Sequence, residues 1–180
     1  SRIKERYGVE LETKTPQVPY RETIRKVAEA QGKHKKQTGG HGQYGDVHVR
    51  FSPLERGAGF EFKDAVTGGT VPRQFIPAVE KGLREALTKG PLASFPVVDF
   101  SAALFYGSYH DVDSSEMSFK LAARLAFKKG IMEANPVLLE PIMTVEVSVP
   151  EEYLGDVMGD FNSRRGRILG IDSKGHLQVV

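Results

Sequence analysis

Residues 107–116 read Gly-Ser-Tyr-His-Asp-Val-Asp-Ser-Ser-Glu and join two segments of different hydrophobic pattern. The preceding residues, 96–106, are mostly apolar, which is typical of a buried strand. A long segment with helical spacing of apolar residues begins near Ser114. Asp113 or Ser114 suits its N-cap, and a glutamate follows Asp113 by three residues, as in a capping box. The stretch therefore predicts a strand–helix corner that presents a tyrosine, a histidine and an aspartate.

A second loop of similar character lies upstream, where residues 33–45 read Lys-His-Lys-Lys-Gln-Thr-Gly-Gly-His-Gly-Gln-Tyr-Gly. Its four glycines permit a close approach of the backbone to a ligand. Its lysines and interleaved tyrosine suit phosphate contact and base stacking. A surface hairpin with solvated lysines explains the same pattern. His34 and His41 have no evident partner in the sequence.

The pattern of the remaining chain indicates one complete α+β domain, at about residues 16–140, flanked by fragments. The elements predicted inside it are strands at 20–28, 46–52, 59–63 and 97–106 and helices at 76–87 and 115–132. A helix end at 2–7 and a strand at 9–12 precede it. After it we expect a strand at 143–149, a helix at 151–165 capped by Gly166, and strands at 168–171 and 176–180 around a turn at 172–175. This last piece resembles half of a split β-α-β unit with an uncovered apolar face.

Composition excludes several classes of protein. The 180 residues contain no cysteine, so disulfides and thiolate metal sites are impossible, as suits a cytoplasmic protein. No apolar run is long enough to span a membrane, and residues 1–6 do not form a signal peptide. The net charge is only +2, so affinity for nucleic acid would need local patches. The candidate patches are the lysines at 33–36, the stripe Lys120, Arg124 and Lys128, and the arginines at 164–167.

Intrinsic catalysis has weak support in the sequence. His110, Asp111 and Asp113 could form a metal or acid–base cluster, which keeps a metal-dependent hydrolase as an alternative, but their spacing fits no strong metal signature. No nucleophile elbow surrounds the serines near His110. The glycine and lysine at 32–33 lack the spacing and hydroxyl of a phosphate-binding P-loop. We therefore expect no enzyme activity, no GTP hydrolysis and no cofactor in this chain.

Five segments together resemble one family, bacterial elongation factor G, the translocation GTPase of the ribosome. They read Thr-Gly-Gly-His-Gly-Gln-Tyr-Gly at 38–45, Tyr-Gly-Ser-Tyr-His-Asp-Val-Asp-Ser-Ser-Glu at 106–116, Pro-Val-Leu-Leu-Glu-Pro-Ile at 136–142, Pro-Tyr-Arg-Glu-Thr-Ile at 19–24 and Arg-Arg-Gly-Arg-Ile-Leu at 164–169. The order and spacing match along the whole chain, which is more specific than any single glycine-rich loop.

The resemblance implies a domain organisation. Residues 1–15 correspond to the end of the family's third domain, 16–140 to the whole fourth domain, and 141–180 to the first half of a ferredoxin-like fifth domain. The fourth domain is expected to be a mixed sheet packed with two helices and to contain a left-handed β-α-β crossover. Such crossovers are almost always right-handed, so patterning alone would not predict this. GTP and magnesium belong to a GTP-binding domain that this sequence does not contain.

The resemblance also implies partners and contact residues. Loops 38–45 and 107–114 would enter the decoding site of the small ribosomal subunit and contact tRNA and mRNA, with His110 at the family's functionally important tip histidine. The arginines near 164 would face the factor-binding region of the large subunit. A cytoplasmic monomer with no membrane partner is expected. The expected contact residues are Lys33, Lys35, Lys36, Thr38, Gly39, Gly40, His41, Gly42, Gln43, Tyr44, Gly45, Ser108, Tyr109, His110, Asp111, Val112, Asp113, Ser114, Arg164, Arg165 and Arg167.

Two departures keep the exact role open. Asp46 stands where many factors would have a neutral or basic residue, and the turn at 56–59 is short. Both features are similar to elongation-factor-G-like paralogues, which could act in ribosome recycling or regulation. Tetracycline ribosomal-protection proteins share the architecture, but the intact 107–116 run argues against them. A protein–protein scaffold is a further alternative.

Overall fold

The computed structural model describes residues 6–8, 14–37 and 39–180. The chain divides into two compact units, the first ending at Pro141 and the second spanning Ile142–Val180. The strand predicted at 9–12 lies outside the described residues, as does most of the helix end predicted at 2–7. Within the described ranges, no helix combines the length and apolar character needed to cross a bilayer.

Among its described residues from 14 onward, the first unit is a mixed sheet with two α-helices, as the resemblance implies. Its four main strands run in the order β2-β3-β5-β4, with β4 and β5 parallel and the other pairs antiparallel. Helix α1 lies in the crossover between β4 and β5; the left hand of that crossover stays a prediction. The elements are β1 (Arg21–Ile24), β2 (Ala28–Lys36), β3 (Gln43–Pro53), β4 (Phe60–Asp64), α1 (Ile76–Ala86), β5 (Phe100–Ser108), α2 (Glu116–Glu133) and β6 (Pro136–Leu139).

Helix α2 packs directly against strands β2 and β3 because both sides of the contact are small. The helix offers buried alanines at 122, 123 and 126, and the strands offer Gly32 and Gly45. A Cβ atom on Gly32 would overlap the backbone of Ala122 and Ala126. The core then closes around Phe51, Phe100 and Phe119, which are fully buried. This contact fixes where the N-terminus of α2 lies relative to the sheet.

Strands β1 and β6 form a two-stranded ribbon, and a buried carboxylate attaches this ribbon to the rest of the unit. Glu22 of β1 is fully buried, and its carboxylate accepts hydrogen bonds from the backbone N–H groups of Leu92, Ala93 and Phe95. The backbone of Glu22 also accepts from Val98 N and donates to Pro96 O. Because a two-stranded ribbon is marginally stable alone, this attachment holds it in place. Strand β6 and its pairing have no counterpart among the predicted elements.

Several predicted boundaries are wrong. The strand predicted at 20–28 is two strands, since β1 ends at Ile24 and β2 begins at Ala28. The lysines assigned to the glycine-rich loop lie on β2, which continues to Lys36. The N-cap of α2 is Ser115, whose hydroxyl accepts from Ser118 N at 3.1 Å, and neither Asp113 nor Ser114 has that role. The helices predicted at 76–87 and 115–132 are confirmed to within a residue.

The second unit combines a small antiparallel sheet with one helix. Strands β7 (Ser148–Pro150), β8 (Asp172–Lys174) and β9 (Leu177–Val179) pair in the order β7-β9-β8, and α3 spans Leu154–Ser163. The strand predicted at 143–149 is shorter than expected, since β7 begins at Ser148, although Val147 also exchanges two backbone hydrogen bonds with Val180.

Three further predictions fail in the second unit. The turn predicted at 172–175 largely belongs to β8, and no strand forms at 168–171. Arg165 adopts a positive φ of 62° after α3, while Gly166 N donates to Phe161 O at 2.7 Å. Arg165, and not Gly166, is therefore the left-handed residue of this helix end.

Candidate functional site

Backbone and side-chain hydrogen bonds join the two predicted loops into one projection. Asp113 accepts from Tyr44 N at its carbonyl (2.9 Å) and from Gly42 N at its carboxylate (3.0 Å). The Ser114 hydroxyl donates to Tyr44 O and accepts from His110 N, both at 2.9 Å. Asp113 and Ser114 thus link the loops instead of capping α2. We call this projection, residues 39–45 and 108–114, the tip.

The imidazole of His110 lies on the ring of Tyr44. The two ring centroids are 3.9 Å apart and the planes differ by 16°. His110 is exposed, whereas Tyr44 is only 7% exposed. This burial contradicts the expectation that the Tyr44 ring stacks on a base, because His110 and the protein already cover it. Tyr44 instead supports the histidine.

A chain of polar side chains continues beneath Tyr44. The Tyr44 hydroxyl lies 2.7 Å from Ser108 Oγ, which donates to Asp46 Oδ2 at 2.7 Å. The second carboxylate oxygen of Asp46 accepts from Gln31 Nε2 at 2.7 Å. Asp46 is 5% exposed, so its charge is buried in a satisfied network. Ser108, predicted as an RNA contact, is half-buried in this network.

The outer surface of the tip carries the groups that remain accessible. Tyr109 is 44% exposed, and His110 and Asp111 are exposed beside it. Val112 is also largely exposed. An aromatic ring and an imidazole are thus both accessible just before the N-terminal turn of α2, where free backbone amides favour negative charge.

Strand β2 brings cations to the neighbouring surface. Lys33, Lys35 and Lys36 are exposed, and Lys33 Nζ lies 5.5 Å from the centroid of the Tyr44 ring. His34 has a partner after all, because its Nε2 lies 2.8 Å from Gln43 Oε1. Gly39, Gly40 and His41 are exposed at the turn of this hairpin, and Thr38 lies outside the described residues.

The basic stripe on α2 is partly neutralised. Glu85 of α1 forms ion pairs with both Lys120 and Arg124. The hydrogen bond from Lys120 holds the pKa of Glu85 below its ordinary value and outweighs the opposing effect of desolvation, with Arg124 adding to the lowering. These two cations therefore join α1 to α2, and a free basic surface at their position is not supported.

The arginines of the second unit form a separate group of exposed side chains. Arg164 pairs with Asp160 one helical turn earlier, at 2.8 Å between Nε and Oδ2. Arg165 and Arg167 follow in the segment after α3, and both are exposed. They belong to a different unit from the tip.

A metal centre at the tip has no geometric support. In the parts of the chain that the structure describes, no three His, Asp or Glu side chains gather closely enough to hold a metal ion. The carboxylate of Asp113, one member of the suspected cluster, accepts from Gly42 N. The hydrolase alternative therefore gains no support from the fold.

Sequence reasoning missed the residues beneath the tip. In the sequence, Asp46 stands out only as a departure from the family pattern, although it directly faces Ser108 in the β3–β5 pairing. A buried acid beside a serine and a tyrosine on adjacent strands is a recognisable signal, but only once the strand register is known. Ser115 was missed because three possible N-caps stand in a row at 113–115.

Comparison with known proteins places this fold in a family. A family model described as elongation factor G, domain IV, matches residues 16–135, and one described as elongation factor G C-terminus matches residues 137–180. A crystal structure of a protein from Thermus thermophilus is 56% identical, with a TM-score of 0.83. The match covers 97% of this chain and 26% of that one, so this chain spans about a quarter of that protein. The two family matches together cover nearly all of the sequence, and the chain belongs to the elongation factor G family.

Proposed function

We propose that this chain is the ribosome-contacting part of an elongation factor G-type GTPase that promotes movement of tRNA and mRNA. In this proposal the tip enters the decoding site of the small subunit at the aminoacyl position. The observation that carries it is the exposed Tyr109–His110 pair on a projection whose two loops are hydrogen-bonded to each other. A rigid projection loses little conformational entropy when it binds.

The chemistry of the tip suits unpaired RNA. Tyr109 offers a ring for stacking, and His110 offers ring nitrogens for a base edge or a ribose 2′-hydroxyl. Lys33, Lys35 and Lys36 supply phosphate contacts along the same hairpin. The arginines of the second unit would face the large subunit. None of these roles needs bond-making by this chain; GTP and magnesium would be bound by another domain of a cytoplasmic, monomeric factor.

Replacement of His110 tests the proposal in the full-length factor that carries this chain. We expect His110→Ala to slow single-round translocation by about tenfold, as for truncation of a central contact residue, while the rate of GTP hydrolysis is nearly unchanged. His176→Ala is the matched control, because His176 is an exposed histidine on a turn of the second unit. Equal translocation rates for the His110→Ala and His176→Ala factors would remove the tip histidine from the mechanism.

A paralogue that acts in ribosome recycling or regulation is the second candidate. Asp46 favours it, because the resemblance to the main factor implies a neutral or basic residue at this position. A comparison of the full-length protein in a translocation assay and in a subunit-splitting assay separates the two. Rapid splitting without translocation would favour the paralogue, whereas the reverse would favour the main factor.

A further inference from the structure

We infer that Tyr44 and Asp46 are positioning residues for His110: they fix the imidazole in the orientation that it presents to RNA. The inference rests on the proposed function, in which His110 is a contact residue. It goes further by assigning a role to two buried residues that themselves touch no partner. Four observations carry it, namely the ring stack, the burial of Tyr44, the direction of the hydrogen bonds and the anchoring of Asp46.

The stack restrains the imidazole directly. His110 belongs to an exposed loop, and an exposed side chain normally samples several rotamers. Here its ring lies parallel to the Tyr44 ring at 3.9 Å between centroids, and its backbone N–H donates to Ser114. One face of the imidazole is therefore covered by protein. The ring edge, with its nitrogens, and the opposite face are left for a partner.

The orientation of Tyr44 is set in turn by its hydroxyl. The single proton of Ser108 is donated to Asp46 Oδ2, so the Tyr44 hydroxyl must be the donor in its 2.7 Å contact with Ser108 Oγ. Both hydrogen bonds, from Tyr44 to Ser108 and from Ser108 to Asp46, are then donated toward the carboxylate. In such an arrangement each bond strengthens the next. The ring under His110 is thus fixed at its far end.

Asp46 is the fixed end of this series of hydrogen-bonded side chains. It lies on β3, is 5% exposed, and receives donors from two neighbouring strands, Gln31 on β2 and Ser108 on β5. Such a residue cannot move without breaking both bonds. The acid at this position therefore has a physical role: it anchors the support of the tip histidine. The side chains of Asp113 and Ser114, hydrogen-bonded to the backbone of Gly42 and Tyr44, hold the loops together independently of it.

Nuclear magnetic resonance of the full-length protein with labelled histidine side chains tests the stack itself, without any functional assay. The His110 resonance is assigned by its loss in His110→Ala. We expect Tyr44→Leu to shift this resonance toward that of an unstacked imidazole, while Tyr44→Phe retains most of the stacked shift. Asp46→Ala should give a partial shift, and Asp46→Asn should not, because its amide accepts from Ser108 and donates to a flipped Gln31 amide. A His110 resonance that is unchanged in Tyr44→Leu would overturn the inference.

A double-mutant cycle in translocation tests the consequence for function. We expect Tyr44→Leu to slow translocation about tenfold in the wild-type background and to have no further effect in His110→Ala, because directly contacting residues are not additive. Unfolding midpoints of all variants are measured in parallel. Additive losses that follow the unfolding midpoints would mean a purely structural Tyr44 and would contradict the inference.

The two proposals fail in different ways. If His110→Ala translocates normally, the proposed contact role is wrong, whatever the resonance shows. If His110→Ala is slow but Tyr44→Leu is as fast as wild type, the contact role stands and the positioning role is wrong.

Discussion

Asp99, the residue just before β5, holds the turn that precedes β4 through a buried carboxylate. It is 3% exposed, and its carboxylate accepts from the N–H groups of Gly57 and Gly59 at 3.0 Å and from Arg56 at 3.1 Å. Its own φ is 60°, a conformation that aspartate and asparagine tolerate better than most residues. Burial raises the pKa of Asp99, but the hydrogen bonds from Gly59, Gly57 and Arg56 outweigh it, so the pKa lies below its ordinary value of 3.8.

This lowered pKa predicts an acid-sensitive contribution to stability. The ionised form is favoured by folding, so the contribution is fully present above about pH 4. It is lost as the pH falls through the lowered folded pKa. We expect Asp99→Asn to cost about 1.5–3 kcal/mol of unfolding free energy at neutral pH. The difference from wild type should shrink in acid. Urea unfolding between pH 7 and pH 3 measures both.

Asp111→Asn is the control for this prediction, because Asp111 is exposed on the tip. Its unfolding free energy should stay within about 0.5 kcal/mol of wild type, as for most surface substitutions. An Asp99→Asn difference that stayed constant with pH would show that the carboxylate is not ionised with a lowered pKa.

At the scale of elements, β2 and α2 lie so close together that Gly32 has no space for a side chain. Because a Cβ on Gly32 would overlap helix backbone, Gly32→Ala must push the strand and the helix apart. We expect a loss of about 1–3 kcal/mol in unfolding free energy, as for overpacked cores. Chemical denaturation followed by circular dichroism is the measurement.

Gly155→Ala is the matched change without a clash. Gly155 lies inside α3, and nothing would come within 4 Å of its added Cβ. Since alanine favours helices over glycine, this variant should gain about 0.5–1 kcal/mol in the second unit. If both glycine variants shifted stability in the same direction, steric contact would not explain the Gly32 result.

The secondary-structure elements also show how much of the fold could be predicted from the sequence. Helices α1 and α2 and strand β3 follow from local periodicity, so they were predictable to within a few residues. The β1–β6 pairing joins Arg21 to Leu139, which share no local signal. The burial of Tyr44 depends on His110, a residue 66 positions later, so a single loop read by itself suggested an exposed ring. The quoted motifs located the tip, but the ring stack and the hydrogen bonds that support it join residues far apart in the sequence and could not be predicted from it.

At the scale of the whole molecule, charge is placed unevenly on the main sheet. Lys33, Lys35 and Lys36 lie on the edge strand β2, and Lys63 lies on the opposite edge strand β4. If the β2 lysines contact phosphates, ribosome binding should weaken with salt. In the full-length factor, the double variant Lys35→Ala and Lys36→Ala should reduce the slope of log affinity against log salt by about 0.7–0.9 per lost contact.

Lys63→Ala controls for charge on the opposite edge, and it should leave the slope unchanged. Binding to ribosomes at several salt concentrations gives the slopes directly. A slope that falls equally in Lys63→Ala and in the β2 variants would point to long-range attraction instead of phosphate contacts by β2.

The attachment of Glu22 has a mechanical consequence. The β1–β6 ribbon lies near the C-terminal end of α2, since Arg25 N and Lys26 N both donate to Ala134 O. His110 precedes the opposite end of the same helix, about 27 Å away for 18 residues at 1.5 Å each. The chain enters and leaves the sheet through the ribbon, so the first unit is held at one end only. A tilt of about 10° at the ribbon end of α2 would move the N-terminal end of the helix by about 5 Å, by the same helix length. The carboxylate of Glu22, which ties the ribbon to residues 92–95, therefore restricts such a tilt.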